Sequence, residues 1–90
     1  MNNSISLVKR DTITQKVCEL IANILSVDID LIKPDLELDG RVGKSLVSVD
    51  SFDYVQIIIA IEEEFAITVE FDVAFLTVGD IIEYVISNIN

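Results

Sequence analysis

The chain has 90 residues, about half of them apolar (51%), and carries a formal net charge of −10. That is one small domain with enough apolar mass for a core, and its acidity excludes nucleic acid and anionic membrane surfaces as natural partners. One cysteine, Cys18, no apolar signal core in MNNSISLVKR and no apolar run of membrane-spanning length together predict a cytoplasmic monomer without disulfides.

In chain order, residues 1–11 are polar and read as a flexible N-terminus, with one folded domain over 12–90. Ile13, Val17, Leu20, Ile21, Ile24 and Leu25 recur at steps of three and four, which predicts a helix over 13–25. Thr12 with Gln15 three positions on has the form of a capping box at its start. Cys18 lies among the apolar positions and reads as a core-edge residue, not a nucleophile.

A long connection follows, from about Ser26 to Val49. Asp28 is placed to begin a single turn through Ile32, which Pro34 stops; Gly40 and Gly43 mark a flexible stretch. Such a long connection in so small a domain is usually functional or mobile.

Residues 51–65 are rich in β-branched Ile57, Ile58, Ile59 and Ile61, which favours a strand. Length and capping favour a helix: Asp50 suits an N-cap, Asp53 the first turn, and the segment continues to Phe65. The expected buried face is Phe52, Val55 and Ile59 with Ile58 beside it. ITVEF at 67–71 alternates like a strand but has no evident pairing partner, so it is expected to be an extended loop, with Asp72 capping one turn at 73–75. Thr77 answered by Asp80, then Ile81, Ile82, Val85 and Ile89, predicts the last helix. The fold class is therefore all-α: a bundle of three main helices plus a short third segment, with a long loop between the first and second helices.

Several chemistries fail on the residues. DLELDGRVGKSL at 35–46 begins like a calcium loop but ends on Leu46 where a bidentate Glu is needed, and Arg41 and Lys44 intrude. One Cys and no His are too few for zinc. Glu62, Glu63 and Glu64 are consecutive and point around a helix, which suits no acid–base pair. No enzyme is expected.

Ser51 is different. At the first position of a helix its hydroxyl sits where unpaired N–H groups and the helix dipole favour an anion, so a phosphate ester would be tolerated there. The plainer reading is a serine common in first turns. The surrounding pattern adds weight. Asp50-Ser51-Phe52-Asp53 followed by VQIIIAIEEEF resembles the phosphopantetheine attachment region of acyl carrier proteins. VDIDLIKPD at 27–35 and LTVGDIIEYV at 76–85 resemble, in register, that family's turn after its first helix and the start of its last.

The resemblance implies a four-helix-type carrier that catalyses nothing. Ser51 would bear a covalent 4'-phosphopantetheine, placed by a phosphopantetheinyl transferase from coenzyme A with Mg²⁺. The arm would hold an acyl or aminoacyl group as a thioester between a loading enzyme and a downstream synthase or transferase. Asp50, Asp53, Glu62 and Glu63 match the family's docking acids. That gives a use to the charge asymmetry: all six basic residues lie at or before Lys44, and nine acids follow Ser45 with no base. Docking on basic patches raises the rate of encounter. Ile59, Ile67, Phe75 and Leu76 are candidates to line a cargo chain, or else ordinary core.

The departures are Phe52 for the usual Leu, Ser48-Val49 for a Gly-containing lead-in, Gln56 for a frequent acid, a longer loop before Ser51 and a shorter segment after Phe65. They imply a specialised pathway: polyketide, nonribosomal peptide or fatty-acid-like. The alternative is a carrier-like binding or regulatory subunit that is never modified.

Overall fold

The computed structural model describes residues 2–38, 49–70 and 72–89. Within them three helices form, α1 (Asn2–Leu25), α2 (Ser51–Phe65) and α3 (Val78–Asn88), with a 3-10 turn at Ile29–Leu31 and no strand beyond a single antiparallel bridge. Both α2 and α3 lean on α1. The all-α class stands. In place of a fourth helix the described part of the α2–α3 connection has a turn at Asp72, with the Val73 amide donating to the Glu70 carbonyl at 3.1 Å. Asp72 does not start a helical turn at 73–75.

The start of α1 corrects the expected boundary. The helix runs from Asn2, so Thr12 is an interior residue and not an N-cap. No Gly or Pro interrupts residues 2–25, so continuing the helix costs less than the break a capping box would need. The core stripe is as read: Ile13, Val17, Cys18 and Ile21 are buried, while Gln15 and Glu19 pair on the outer face at 3.0 Å. Arg10 pairs with Glu83 of α3 and Lys16 approaches Glu64 of α2, both at exposed positions where such pairs contribute little.

Two helices end on left-handed residues that are not glycine. Ser26 (φ 58°) closes α1, with its own amide donating to Asn23 and that of Val27 donating to Ala22; Ala66 (φ 54°) closes α2, with Ile67 donating to the Glu62 carbonyl. This is a Schellman-type ending, which glycine fills without steric cost. Ala66→Gly is expected to raise stability by about 0.5–1 kcal/mol, read as a thermal midpoint a few degrees higher; a lower midpoint would contradict it.

The long connection is ordered where it is described. The expected turn after α1 forms, as 3-10 helix, but the Asp28 side chain makes no capping bond. Residues 34–38 then lie along the N-terminus of α3. Val78 and Gly79 donate to the carbonyls of Leu36 and Pro34 at 3.0 and 2.8 Å, and Leu38 donates to Leu76. Two otherwise orphan amides of α3 are thereby satisfied. Gly79 suits this close approach: a Cβ would come within 3.1 Å of the Pro34 oxygen, tighter than ordinary contact. Leu36 and Leu38 bury their side chains in the core.

Helix α2 has the predicted bounds but not the predicted face. Ile57 and Ile61 are its fully buried residues, with Tyr54, Ile58 and Phe65 partly buried against the core. Phe52 is 68% exposed and Val55 and Ile59 face solvent. Of the residues expected inside, Phe52, Val55 and Ile59 form an apolar stripe on the outside, while Ile58 is partly buried against the core.

Candidate functional site

Ser51 is the first residue of α2 and is exposed. Its position is fixed from both sides. Asp50 caps the helix: its Oδ1 accepts the Asp53 amide at 2.8 Å, and the Asp53 carboxylate accepts the Asp50 amide at 3.4 Å. Val49, just before the cap, is buried. With Tyr54 four positions into the helix it makes the apolar pattern that sets how a chain enters a helix. Ser51 is thus held on a capped, anchored turn while its own hydroxyl makes none of the capping bonds.

The surroundings fit a phosphate ester in one respect and oppose it in another. The first turn offers the positive end of the helix dipole, on the order of half a charge. Asp50 and Asp53 sit within the same turn and oppose a further anion. An exposed hydroxyl with its charge in water accommodates both.

Of the four candidate docking acids, three have structural work. Asp50 and Asp53 close the capping box. Glu62 is partly buried and its Oε2 accepts the Val69 amide at 2.8 Å, tying down the chain after α2. Glu63 is exposed beside Gln56 and Ile59.

Of the four cargo candidates, Phe75 belongs to the core and Ile67 packs against it. Ile59 lines an open groove with Ile24, Gln56, Ala60 and Glu63, which includes none of the other three. Leu76 is 61% exposed, Ile67 is half-buried, and Phe75 is a core residue at 4% exposure. The Phe75 ring meets Tyr84 edge to face, centroids 5.3 Å apart.

Two of the residues that hold the α2–α3 connection, Tyr54 and Tyr84, were not singled out in the sequence. The Tyr54 hydroxyl accepts the Phe75 amide at 3.0 Å. The Tyr84 hydroxyl donates to the Thr68 carbonyl at 3.0 Å and accepts the Glu70 amide at 3.4 Å. Asp80 accepts the amides of Leu76 and Thr77. With Glu62, these side chains satisfy backbone groups that a helix would satisfy internally. The only sequence signal for Tyr54 and Tyr84 is that each is a ring with a polar tip on an otherwise aliphatic stripe.

Other chemistry has little footing. Burial pushes the Cys18 thiol above its ordinary pKa, which makes it a poor nucleophile. Among the described residues no group of three or more His, Cys, Asp or Glu is arranged to hold a metal ion, and no helix is long and apolar enough to cross a membrane. Most of the calcium-loop-like stretch, from Asp39 on, lies outside the described residues, as does Ser48.

Residues 15–85 match the protein family described as "Phosphopantetheine attachment site". The chain is also 31% identical over 80 residues to an acyl carrier protein of Prochlorococcus marinus (strain MIT 9515), an alignment covering 87% of this chain and 94% of that protein.

Proposed function

The chain belongs to the phosphopantetheine-binding carrier family, and from that premise we propose that Ser51 is the residue that takes the 4'-phosphopantetheine arm. A carrier of this family is not itself a catalyst; it works with a phosphopantetheinyl transferase and with acyl-handling enzymes. The arm supplies a terminal thiol that holds cargo as a thioester. The observation that carries the assignment is the exposed Ser51 hydroxyl at the first position of a capped helix, inside the matched residues.

The chain's own residues position and present. Asp50 and Asp53 hold the first turn, so the hydroxyl is offered to a visiting transferase without local unfolding. Val49 anchors the approach. Acids on α2 draw a basic partner; Glu63, exposed and without a capping or latching bond, is the one best placed to do this alone. The stripe of Phe52, Val55 and Ile59 supports the same reading, since apolar contact beside a charged rim is how a transient interface gains area. The carrier domain is assigned to residues 12–90, preceded by the first turns of α1. The pathway we favour is specialised, of polyketide, nonribosomal-peptide or fatty-acid-like type, because Phe52 and Gln56 alter the surface around Ser51 and a clamped loop stands where a helix is usual.

The electrostatic part has its own test. Glu63→Lys is expected to slow transfer of the arm by a transferase several-fold at low salt, with the difference shrinking as salt rises. The thermal midpoint should stay within a few degrees of the parent, as is usual for an exposed substitution. Equal rates at low salt would remove Glu63 from the docking face. Glu62→Gln is the control: it weakens the Val69 latch and so registers in stability as well.

A further inference from the structure

Ser51, Val55, Ile59 and Glu63 stand at every fourth position of α2, so they form one row along the helix surface. All four are exposed. The row starts at the proposed attachment point and runs into an open groove of about 440 Å³ between α1 and α2, lined by Ile24, Gln56, Ile59, Ala60 and Glu63. Ile24, Ile59 and Ala60 are its apolar part; the Gln56 amide and the Glu63 carboxylate are its polar groups. Asp50 and Asp53 are engaged in the cap, Glu62 holds the Val69 amide, and Glu64 has Lys16 at 3.9 Å. Among the described residues Glu63 has no such partner. At 1.5 Å per residue, Ile59 lies about 12 Å and Glu63 about 18 Å along the helix axis from Ser51. A phosphopantetheine arm of about fourteen bonds spans roughly 16 Å when extended, at the ~3.5 Å per three bonds of an extended chain. Laid along the row, the arm puts its terminal sulfur between Ile59 and Glu63, with no part of the fold to open.

We propose that this groove is the resting site of the cargo, and that the cargo it fits is an aminoacyl group with a branched aliphatic side chain. The proposal rests on Ser51 as the attachment point. The side chain is covered by Ile24, Ile59 and Ala60, and the α-ammonium, charged below about pH 7, faces Glu63. An alkyl chain laid there would instead take water from Gln56 and Glu63 without giving either a polar partner. Each contact is weak at so open a site. Tethering makes up for this: it holds the cargo at an effective concentration on the order of millimolar, so weak contacts suffice for partial occupancy. A docking partner's basic group competes for the same carboxylate, so docking favours release of the cargo from the groove.

The test attaches the arm chemically, so it does not depend on whether a transferase modifies Ser51; that is a separate mass measurement. In a Ser51→Cys, Cys18→Ala chain, position 51 is alkylated with a thiol-reactive pantetheine analogue ending in a leucyl, N-acetyl-leucyl or acetyl amide. If Cys18→Ala weakens the fold, Cys18→Val takes its place. Backbone and methyl signals are followed by NMR at pH 6. Relative to the acetyl-ended arm, the leucyl arm should shift Ile24, Ile59 and Ala60. N-acetylation of the leucyl group, or Glu63→Gln in the protein, should each cut those shifts about threefold, the scale of one exposed ion pair. Leucyl shifts at the groove no larger than those of the acetyl-ended arm would overturn the proposal. So would groove shifts that neither N-acetylation nor Glu63→Gln reduces, since a neutral acyl group would then fit as well.

Discussion

Ser51→Ala is expected to fold as the parent does and to gain no phosphopantetheine. The two halves of that result have separate causes. The capping box belongs to Asp50 and Asp53, not to Ser51, and alanine is the better helix former at a first-turn position. The stability change should therefore stay within about 0.5 kcal/mol. Loss of the hydroxyl removes the atom that would bond to phosphorus, so no partial activity is expected. Circular dichroism gives the first half, and intact mass after incubation with coenzyme A, Mg²⁺ and a transferase gives the second. A Ser51→Ala chain that unfolds would make Ser51 structural; one that still gains the arm would place the attachment elsewhere.

The second large effect concerns orientation of α2. Ile57→Ala removes a side chain at 0% exposure from the centre of the bundle. It should cost about 3 kcal/mol, within the range for Ile to Ala in a core. For a domain of this size that lowers the thermal midpoint by roughly 12–24 °C, and total stability is only about 5–15 kcal/mol. Ile59→Ala, at 48% exposure, should change stability by less than about 1 kcal/mol. Thermal or urea unfolding of the two variants in parallel checks the helix's rotation. Similar costs, or the larger cost at Ile59, would mean α2 presents its other side to the core.

That rotation is also where sequence reading fell short. The bounds and caps of α2 and α3 were legible because Asp50 with Asp53 and Thr77 with Asp80 are local signals, and both boxes form. The buried side of α2 was not, because Phe52, Val55, Ile57, Ile58, Ile59 and Ile61 run around the helix and give periodicity no polar side to work against. Packing into the shared core decides for Ile57 and Ile61. The start of α1 was misplaced because Thr12 and Gln15 have the form of a cap inside an unbroken helical run. At the site, Ser51 and its flanking acids were readable from residue type and spacing. The clamps from Tyr54, Tyr84 and Glu62 were not. Tyr54 reaches Phe75 and Tyr84 reaches Thr68 across many residues, and no local pattern encodes such pairs.

The most direct measurement is a mass map of the unmodified chain after incubation with coenzyme A, Mg²⁺ and a broad-specificity phosphopantetheinyl transferase, with a known carrier in the same tube as control. One phosphopantetheine per chain, on the peptide containing Ser51, is the expected result. A chain left unmodified beside a fully modified control would contradict it, and would leave a carrier-like binding subunit as the better description of this protein.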